Sequence, residues 1–191
     1  IPKDAGAYAL AMKAVAGSEF NKARRLAEQA AKEKEVELAE IYRLRGEIEF
    51  YAGSYKTSAE WYEKALGLAG SDEKISKEAA IAFYYNAEYK KAEPLMRRAL
   101  EIDEKSFGPD HPDVARDLNN LAALLQATNR LGEAEPLMRR ALKIDEKSFG
   151  PDQPRVAIGL NNLAQLLKAT NRLGEAEPLM RRALEIDEKS F

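Results

Sequence analysis

The feature that most limits how this chain can fold is one sixteen-residue stretch that occurs three times. "AEPLMRRALEIDEKSF" occupies positions 92–107 and 176–191, and the copy at 134–149 differs only at Lys143. The copies begin 42 residues apart, and two successive 42-residue units share 35 identical positions. A fixed period of this length is typical of architectures in which each unit packs against its neighbours along the chain.

Each 42-residue unit contains two helical patterns separated by the short sequence "TNR". Apolar residues recur at helical spacing in both patterns: Val114, Leu118, Leu121, Ala122 and Leu125, then Ala134, Leu137, Met138, Ala141 and Leu142. Asp110 lies ahead of Pro112, which predicts that the Asp110 side chain caps the first helix. Gly-Pro pairs at 108–109 and 150–151 predict the ends of the second helices. Each unit is therefore predicted to be a helical hairpin.

The first half of the chain carries the same hairpin pattern in more divergent residues. Two small residues, seven positions apart, mark the second helix of every unit: Ala23 and Ala30, Ser58 and Ala65, Ala92 and Ala99, Ala134 and Ala141, and Ala176 and Ala183. Small side chains at these points let helices approach closely. The sequence predicts an all-α fold of about ten antiparallel helices, as hairpins stack in such arrays. The single array has these units: 5–34, 36–70, 72–107, 111–149 and 153–191.

Composition limits the functions that such an array can have. The net charge of −2 gives no basic field for phosphate backbones or anionic lipids, so we expect no nucleic acid and no membrane among its partners. The absence of cysteine excludes thiolate chemistry and fits a reducing, cytoplasmic location. The most apolar stretch, 5–17, is interrupted by Lys13 and is too short to span a bilayer. The missing initiator Met and the ending at Phe191 suggest a fragment of a longer protein.

No pattern of reactive side chains points to catalysis. The only histidine, His111, lies in the predicted loop "GPDHPD", and the following unit has Gln153 at that position. A loop or capping role therefore fits His111 better than metal ligation. The acidic runs 101–106 and 185–190 contain no histidine or cysteine, and no loop has the lysine and glycine spacing of a phosphate-binding motif. We expect no enzyme, no metal and no cofactor.

The chain resembles a tetratricopeptide repeat array from about residue 5 to residue 191. In "YRLRGEIEFYAGSYKTSAEWYEKAL" the matching positions are Gly46, Gly53, Tyr55, Tyr62 and Ala65. Glu49 stands where an aromatic residue is usual, and Ser58 where alanine is usual. The 42-residue units, joined by "GPDHPDVARDLNNLAALL", are similar to the repeats of kinesin light chains and related bacterial proteins. The resemblance implies a right-handed α-α superhelix, or tetratricopeptide solenoid, that serves as a non-enzymatic interaction scaffold.

The resemblance also implies that the first helix of each unit faces a concave groove that binds a peptide or protein segment. Transferred to matching positions, the groove-lining residues are Tyr8, Met12, Arg43, Glu47, Phe50, Lys77, Ile81, Tyr84, Arg116, Asn119, Gln126, Ile158, Asn161, Gln165 and Lys168. The four cations in this set outnumber the single Glu47. This excess predicts an acidic peptide with hydrophobic anchors as the partner.

The differences between successive units have two explanations. Four of the seven lie on the first helix of the unit, at 116/158, 117/159, 123/165 and 126/168, while the packing positions are unchanged. Three of these four positions fall on the predicted groove face: 116, 123 and 126. Specialisation of the groove explains them, and so does neutral drift on a solvated surface. Asn119 and Asn161 take equivalent positions one unit apart, where their amides could bind the backbone of an extended peptide. The alternative for each is a hydrogen bond that ties adjacent units together.

Two further functions are compatible with the sequence. The chain could be the regulatory or sensor arm of a larger signalling protein, because related repeats resemble appendages to nucleotide-binding switch domains. It could also associate with itself through an uncapped C-terminal helix. That helix carries an apolar stripe: Leu179, Met180, Ala183 and Leu184. Gene context would test the first function, and concentration-dependent light scattering would test the second.

The substitution Ala141→Asp tests the predicted register. A charged side chain at a close helix contact is expected to lower the free energy of unfolding by about 1–3 kcal/mol or more and to melt the C-terminal units first. Thermal unfolding followed by circular dichroism measures this loss. An unchanged transition would contradict the register.

Overall fold

The computed structural model describes residues 7–33, 38–70 and 72–189, and the side chains within 9–28, 38–70 and 72–189. These described residues form ten α-helices and no strand. The helices are α1 (Ala7–Ala16), α2 (Phe20–Glu33), α3 (Leu38–Tyr51), α4 (Tyr55–Ala69), α5 (Glu73–Tyr85), α6 (Tyr89–Phe107), α7 (Pro112–Ala127), α8 (Leu131–Phe149), α9 (Pro154–Ala169) and α10 (Leu173–Lys189). The predicted all-α class is confirmed. Two sequence predictions, Tyr8 and Ala30, lie outside the described side chains.

The turn within each hairpin has the same geometry in all five hairpins. One residue per turn has a positive φ between 56° and 78°: Ser18, Gly53, Ala87, Asn129 and Asn171. The next N–H donates back to the preceding helix, as from Glu88 to the Phe83 carbonyl at 2.8 Å and from Arg130 to the Leu125 carbonyl at 2.7 Å. These bonds satisfy carbonyls that the helix end leaves free. The divergent first hairpins therefore fold as the same unit as the later ones.

The structure confirms the predicted ends of α6 and α8 but places a different capping residue before α7. The glycines that follow α6 and α8 have φ of 89° and 95°, so both helices end where predicted. The cap of α7, however, is His111 rather than Asp110, because the His111 Nδ1 accepts a hydrogen bond from the Asp113 N–H at 3.2 Å. The Asp110 carboxylate instead pairs with the Lys147 Nζ at 2.6 Å.

The helices group into two compact units, Ile1–Leu95 and Met96–Phe191. Helix α6 begins in the first unit and ends in the second. In the first unit one core cluster joins α1, α2 and α3: Ala11, Ala14, Ala23, Ala27, Leu44 and Ile48. The small residues that mark the second helices are buried, at 7% exposure or less: Ala23, Ser58, Ala65, Ala92, Ala99, Ala134, Ala141, Ala176 and Ala183. The single array and its unit bounds remain predictions.

Helices α3 and α4 approach so closely at Gly46 that no side chain fits there. A Cβ on Gly46 would lie 2.7 Å from the ring carbons of Tyr62. The buried Ser58 hydroxyl donates to the Gly46 carbonyl at 2.8 Å, so serine in place of the usual alanine has its hydrogen bond satisfied. Glu49, the other departure from the family pattern, accepts two hydrogen bonds from Arg24, at 2.6 and 3.0 Å. Both departures are therefore compensated locally.

The second unit repeats one packing pattern at two successive helix junctions. Leu100 packs against the cluster that contains residues of α7, and Leu142 packs against the cluster that contains residues of α9: Val114, Ala115 and Leu118, and Val156, Ala157 and Leu160. These two leucines are equivalent, because they lie 42 positions apart. The junction after α6 and the junction after α8 are therefore two copies of one interface.

Repeated arginines connect successive hairpins within the second unit. Arg140 donates to the Glu104 carboxylate at 2.5 Å and to the Pro109 carbonyl at 2.8 Å. Arg182 makes the equivalent bonds one period later, to Glu146 and to the carbonyl of residue 151. Each of these ion pairs is partly exposed, so each contributes under ~1 kcal/mol.

The substitution Gly46→Ala tests the close helix crossing. The added methyl group would force the Tyr62 ring out of place, and we expect the free energy of unfolding to fall by about 1–3 kcal/mol. Urea unfolding followed by circular dichroism measures the loss.

Gly67→Ala is the matched control, since Gly67 also lies inside a helix, α4, but a Cβ there would meet nothing within 4 Å. That variant should gain up to about 1 kcal/mol from helix propensity. Equal stability of the two variants would contradict the crossing.

Candidate functional site

Arg43 does not line an open groove, which corrects the sequence prediction. Its side chain is 1% exposed and lies among three carboxylates. Arg43 nitrogens approach Glu40 at 2.8 Å, Glu47 at 3.1 Å and Glu78 at 2.8 Å. Arg43 lies in the first helix of its hairpin, as predicted. Its guanidinium, however, lies between α3 and α5, where it donates to Glu78. It therefore offers no free charge to a partner.

Three other predicted residues of the first unit meet at one small cleft. Glu47, Phe50 and Ile81 line a cleft of about 160 Å³, together with Tyr51, Tyr62 and Glu78. Burial, followed by the nearby Glu78 carboxylate, raises the pKa of Tyr62, so its hydroxyl keeps its proton and donates to Glu78 at 3.1 Å. The cleft thus combines an apolar floor with carboxylates that internal donors already engage.

Phe50 and Tyr51, which line this cleft, belong to a larger aromatic cluster, of which the sequence prediction included only part. Its six members are Phe50, Tyr51, Tyr55, Tyr84, Tyr85 and Tyr89. The centroids of the rings that contact each other are 5.1 to 5.9 Å apart. Tyr51 and Tyr85 are 61% and 53% exposed, which leaves aromatic surface open to a ligand. We call these six residues the aromatic cluster.

A sequence signal for the four missed tyrosines does exist. "FYAGSY" at 50–55 and "YYNAEY" at 84–89 place aromatic residues at the same three positions of successive units. The two segments lie 34 residues apart, which is the local repeat spacing. An aromatic side chain that recurs at the repeat period is therefore informative even where the units have otherwise diverged.

In the second unit, Arg116 is engaged by acidic side chains. Its guanidinium nitrogens lie 2.7 Å from Asp113, 3.5 Å from Asp117 and 3.6 Å from Asp103. Asp103 is fully buried and Asp117 is 5% exposed, whereas the Arg116 side chain is half exposed. Arg116 therefore neutralises buried carboxylates at the junction of α6 and α7.

The next junction neutralises the equivalent buried carboxylate differently. Asp145 is 1% exposed, and its cation is Arg155, whose Nε lies 2.9 Å from Oδ1. Burial raises the pKa of the Asp145 carboxyl, and the Arg155 charge opposes that shift. Arg155 stands at the position equivalent to Asp113, while the position equivalent to Arg116 is Ile158, 63% exposed. The differences between the two units therefore include a residue that contacts a buried carboxylate. The sequence interpretation, that all packing positions are unchanged, is corrected at this point.

The predicted amides of the second unit make no hydrogen bond within the described part of the chain. Asn119 and Asn161 are half-buried, and no residue in the described part of the chain hydrogen-bonds to either side chain. The alternative from the sequence, a bond between adjacent units, is therefore not formed. Gln126 is half-buried, and Gln165 and Lys168 are exposed.

The cations of the predicted groove give little support to an acidic partner. Arg43 and Arg116 are engaged as described, and the Lys77 Nζ lies 2.6 Å from Glu73. Lys168 makes no ion pair with any described residue. Within the described ranges no group of three or more potential ligands could hold a metal ion. No helix there is both long and apolar enough to cross a membrane.

The substitution Arg155→Gln tests the buried charge pair. We expect the free energy of unfolding at pH 7 to fall by about 1–3 kcal/mol, because Asp145 stays buried without its cation while Arg155 itself is partly solvated. The folded pKa of Asp145 is already raised, so its ionisation costs stability as the pH rises above the unfolded value of about 3.9. The deficit of the variant should therefore shrink toward pH 4.

Two further variants control this measurement. Arg155→Gln with Asp145→Asn should recover most of the loss at pH 7. Arg181→Gln removes an arginine from an exposed pair with Glu177 and should change stability little at any pH. A deficit of Arg155→Gln that does not depend on pH would contradict the assignment.

Models of a known repeat family match nearly the whole chain. A model of the tetratricopeptide repeat matches residues 75–147 and 118–189, and a second model of this repeat matches 8–73. No curated protein sequence matches the chain significantly.

Solved structures are similar to this chain over nearly its whole length. BtubC (BKLC) from P. vanneervenii is 25% identical with a TM-score of 0.81, covering 96% of this chain and 79% of that chain. A putative kinesin light chain from Podosopora anserina, with nearly identical TPR-like repeats, is 21% identical with a TM-score of 0.81, covering 96% and 94%. MamA from Desulfovibrio magneticus RS-1 is 15% identical with a TM-score of 0.77, covering 94% and 92%.

The family models account for both the divergent first hairpins and the near-identical later ones. The predicted tetratricopeptide solenoid class is confirmed, and this fold typically serves as a non-enzymatic scaffold for protein interactions. The chain belongs to the tetratricopeptide repeat family.

Proposed function

We propose that this interaction scaffold binds an extended peptide or protein segment along the concave face formed by the first helices of its hairpins. The observation that carries the proposal is the pair of unengaged amides at Asn119 and Asn161. An extended peptide presents backbone donors and acceptors at regular intervals, and a side-chain amide can satisfy one donor and one acceptor at once. Two amides at equivalent positions of successive units suit such a ligand.

The aromatic cluster offers a separate contact surface within the first unit. Exposed tyrosine rings offer apolar area with little loss of side-chain entropy, and they serve as anchors in many protein interfaces. The exposed ring of Tyr51 lines a cleft large enough for a small apolar side chain, and the exposed ring of Tyr85 packs against Phe50 of the same cleft. A partner with hydrophobic anchors therefore fits well. An acidic partner is less well supported, because carboxylates within the chain engage most cations of the predicted face.

Loss of both amides tests the proposal. A display library of random 15-residue peptides would first be selected against the 191-residue chain, and the tightest binder would then be labelled and measured by fluorescence anisotropy. Asn119→Ala with Asn161→Ala should weaken that binder by about 5- to 50-fold, since the hydrogen bonds of both amides to the peptide backbone are lost. Circular dichroism should be unchanged.

Asn120→Ala with Asn162→Ala is the matched control. These neighbours belong to the same "LNNLA" motif and are also half-buried, but lie about 100° around the helix from the proposed contacts. This control should bind the peptide as the original chain does. Equal affinity of both double variants would reject the amide contacts.

A further inference from the structure

The cleft lined by Glu47 and Glu78 carries negative charge that donors within the chain satisfy only in part. Both side chains are accessible, at 20% and 30% exposure. Arg43 Nη1 donates to the Oε2 atoms of both carboxylates, and the Tyr62 hydroxyl donates to the Oε2 atom of Glu78. The two Oε1 atoms accept no hydrogen bond from any residue that the structure describes. The cleft therefore keeps two carboxylate oxygens that can accept hydrogen bonds from a ligand.

The charges at this cleft are unbalanced. The single charge of Arg43 is shared by three carboxylates: Glu40, Glu47 and Glu78. Lys77, the next cation along the chain on α5, pairs with Glu73 at 2.6 Å and does not line the cleft. Among the described residues that do line it, two are carboxylates and none is a cation. A ligand with a positive charge therefore complements the cleft.

Aromatic rings line the same cleft and restrict the kind of cation. Phe50 and Tyr51 both line it, with ring centroids 5.8 Å apart and ring planes at 86° to each other. The face of an aromatic ring attracts a cation, and the flat guanidinium of arginine can also stack on it. A guanidinium has five N–H donors in a rigid fork, so it can donate to two carboxylates at once. Arginine therefore fits this combination better than lysine.

The chain binds two of its own arginines in this way. Each has one ring and one carboxylate as partners: Arg45 with Trp61 and Glu28, and Arg155 with Phe149 and Asp145. The guanidinium carbons lie 4.1 and 5.0 Å from the ring centroids, and guanidinium nitrogens lie 3.2 and 2.9 Å from the carboxylate oxygens. A ring beside a carboxylate is therefore an arginine site that this protein already uses internally.

We propose that the cleft binds an arginine side chain of the partner segment, which stacks on the aromatic wall and donates to the free carboxylate oxygens of Glu47 and Glu78. The inference deepens the proposed function, on which it rests for the partner being a peptide or protein segment.

The arginine takes the place of an apolar anchor at this cleft. An apolar side chain would remove water from two carboxylates without offering them a hydrogen bond, which is costly. The apolar anchors of the partner then belong on the exposed rings beside the cleft. Tyr85 is one of these, since it is 53% exposed and packs against Phe50 without lining the cleft.

Nα-acetylarginine amide is the probe that tests the cleft directly. The full 191-residue chain, with isotope-labelled tyrosine rings, is titrated with this probe and followed by NMR. Saturable shifts of the Tyr51 and Tyr62 ring resonances are expected, with a Kd of about 1–10 mM. No saturable shift up to about 50 mM would overturn the proposal.

Two neutral probes show whether the charge is required. Nα-acetylcitrulline amide has nearly the shape of the arginine probe without its charge, and Nα-acetylnorleucine amide has an apolar side chain. Each should bind at least about tenfold more weakly than the arginine probe. Equal binding of either neutral probe would overturn the proposal.

Glu47→Gln and Glu40→Gln separate contact with the ligand from support of Arg43. Each variant removes one carboxylate that approaches Arg43, so both disturb that arginine to a comparable degree. Glu47 lines the cleft, whereas Glu40 does not. Glu47→Gln should weaken the arginine probe by about five- to tenfold, and Glu40→Gln by less than about twofold. A similar loss in both variants would assign the effect to Arg43 and overturn the direct contact.

Tyr51→Ala tests the aromatic wall without changing a carboxylate. The Tyr51 ring is 61% exposed, so the variant should keep its circular dichroism spectrum and bind the arginine probe about threefold more weakly. Tyr85→Ala is the matched control, because that ring is similarly exposed in the same cluster but does not line the cleft. An equal loss in both variants would overturn the ring contact.

Asn119→Ala with Asn161→Ala distinguishes this inference from the proposed amide contacts. Both asparagines belong to the second unit, so the double variant should bind the arginine probe as the original chain does. Loss of probe binding there would overturn the cleft as the arginine site. Unchanged probe binding, together with a selected peptide whose affinity ignores the two amides, would support the arginine site and reject the amide contacts alone.

Discussion

The structure depends on burial of an apolar stripe that no single hairpin can cover alone. Leu142 of α8 packs against the core cluster of the next hairpin, and Leu100 of α6 makes the equivalent contact one period earlier. The two helices of each hairpin must also come close together, so Ala141 and Ala183 are 0% exposed and Gly46 of α3 faces the ring of Tyr62 in α4. The repetition of residues in the sequence therefore follows from the repetition of one contact.

Most of the fold could be predicted because the stacking contact and the turn are both local and repeated. Helix number, helix ends at Gly-Pro and the buried small residues all follow from spacing alone. Two turns of the first half could not be predicted from residue type. Their left-handed residues are Ser18 and Ala87, whereas glycine or asparagine is usual in that conformation. The hydrogen bonds that close the preceding helix stabilise that conformation, and tertiary packing rather than residue type selects it. The cap at His111 escaped prediction because an imidazole nitrogen is an uncommon acceptor there.

The candidate site was predicted less well, for a physical reason. Helical periodicity fixes the direction of a Cα–Cβ bond, but a long side chain can carry its charge several ångströms away from that direction. Arg43 stands at the expected helical position, yet its guanidinium lies among three carboxylates. Short side chains leave less freedom, and the side chains of Asn119 and Asn161 are half-buried without a hydrogen bond to any described residue. Their place in a peptide groove stays a prediction. Tyrosines 51 and 85 were missed because each lies one position beyond the residue assigned to the groove, where their rings join the aromatic cluster.

The differences between the near-identical units are best understood through the buried aspartates. Asp103 and Asp145 occupy one position of the repeat, and each requires a cation once its neighbour covers it. In one junction the cation stands at 116, and in the next it stands at 155, which corresponds to a position one helical turn earlier. Gaining the second arginine and losing the first are therefore linked changes, because either alone would leave two arginines or none at the carboxylate. Neutral drift explains the difference only at positions such as 123/165, where the side chain contacts no buried charged group. The duplicated unit tolerates change freely at its surface, and at its junctions only in compensating sets.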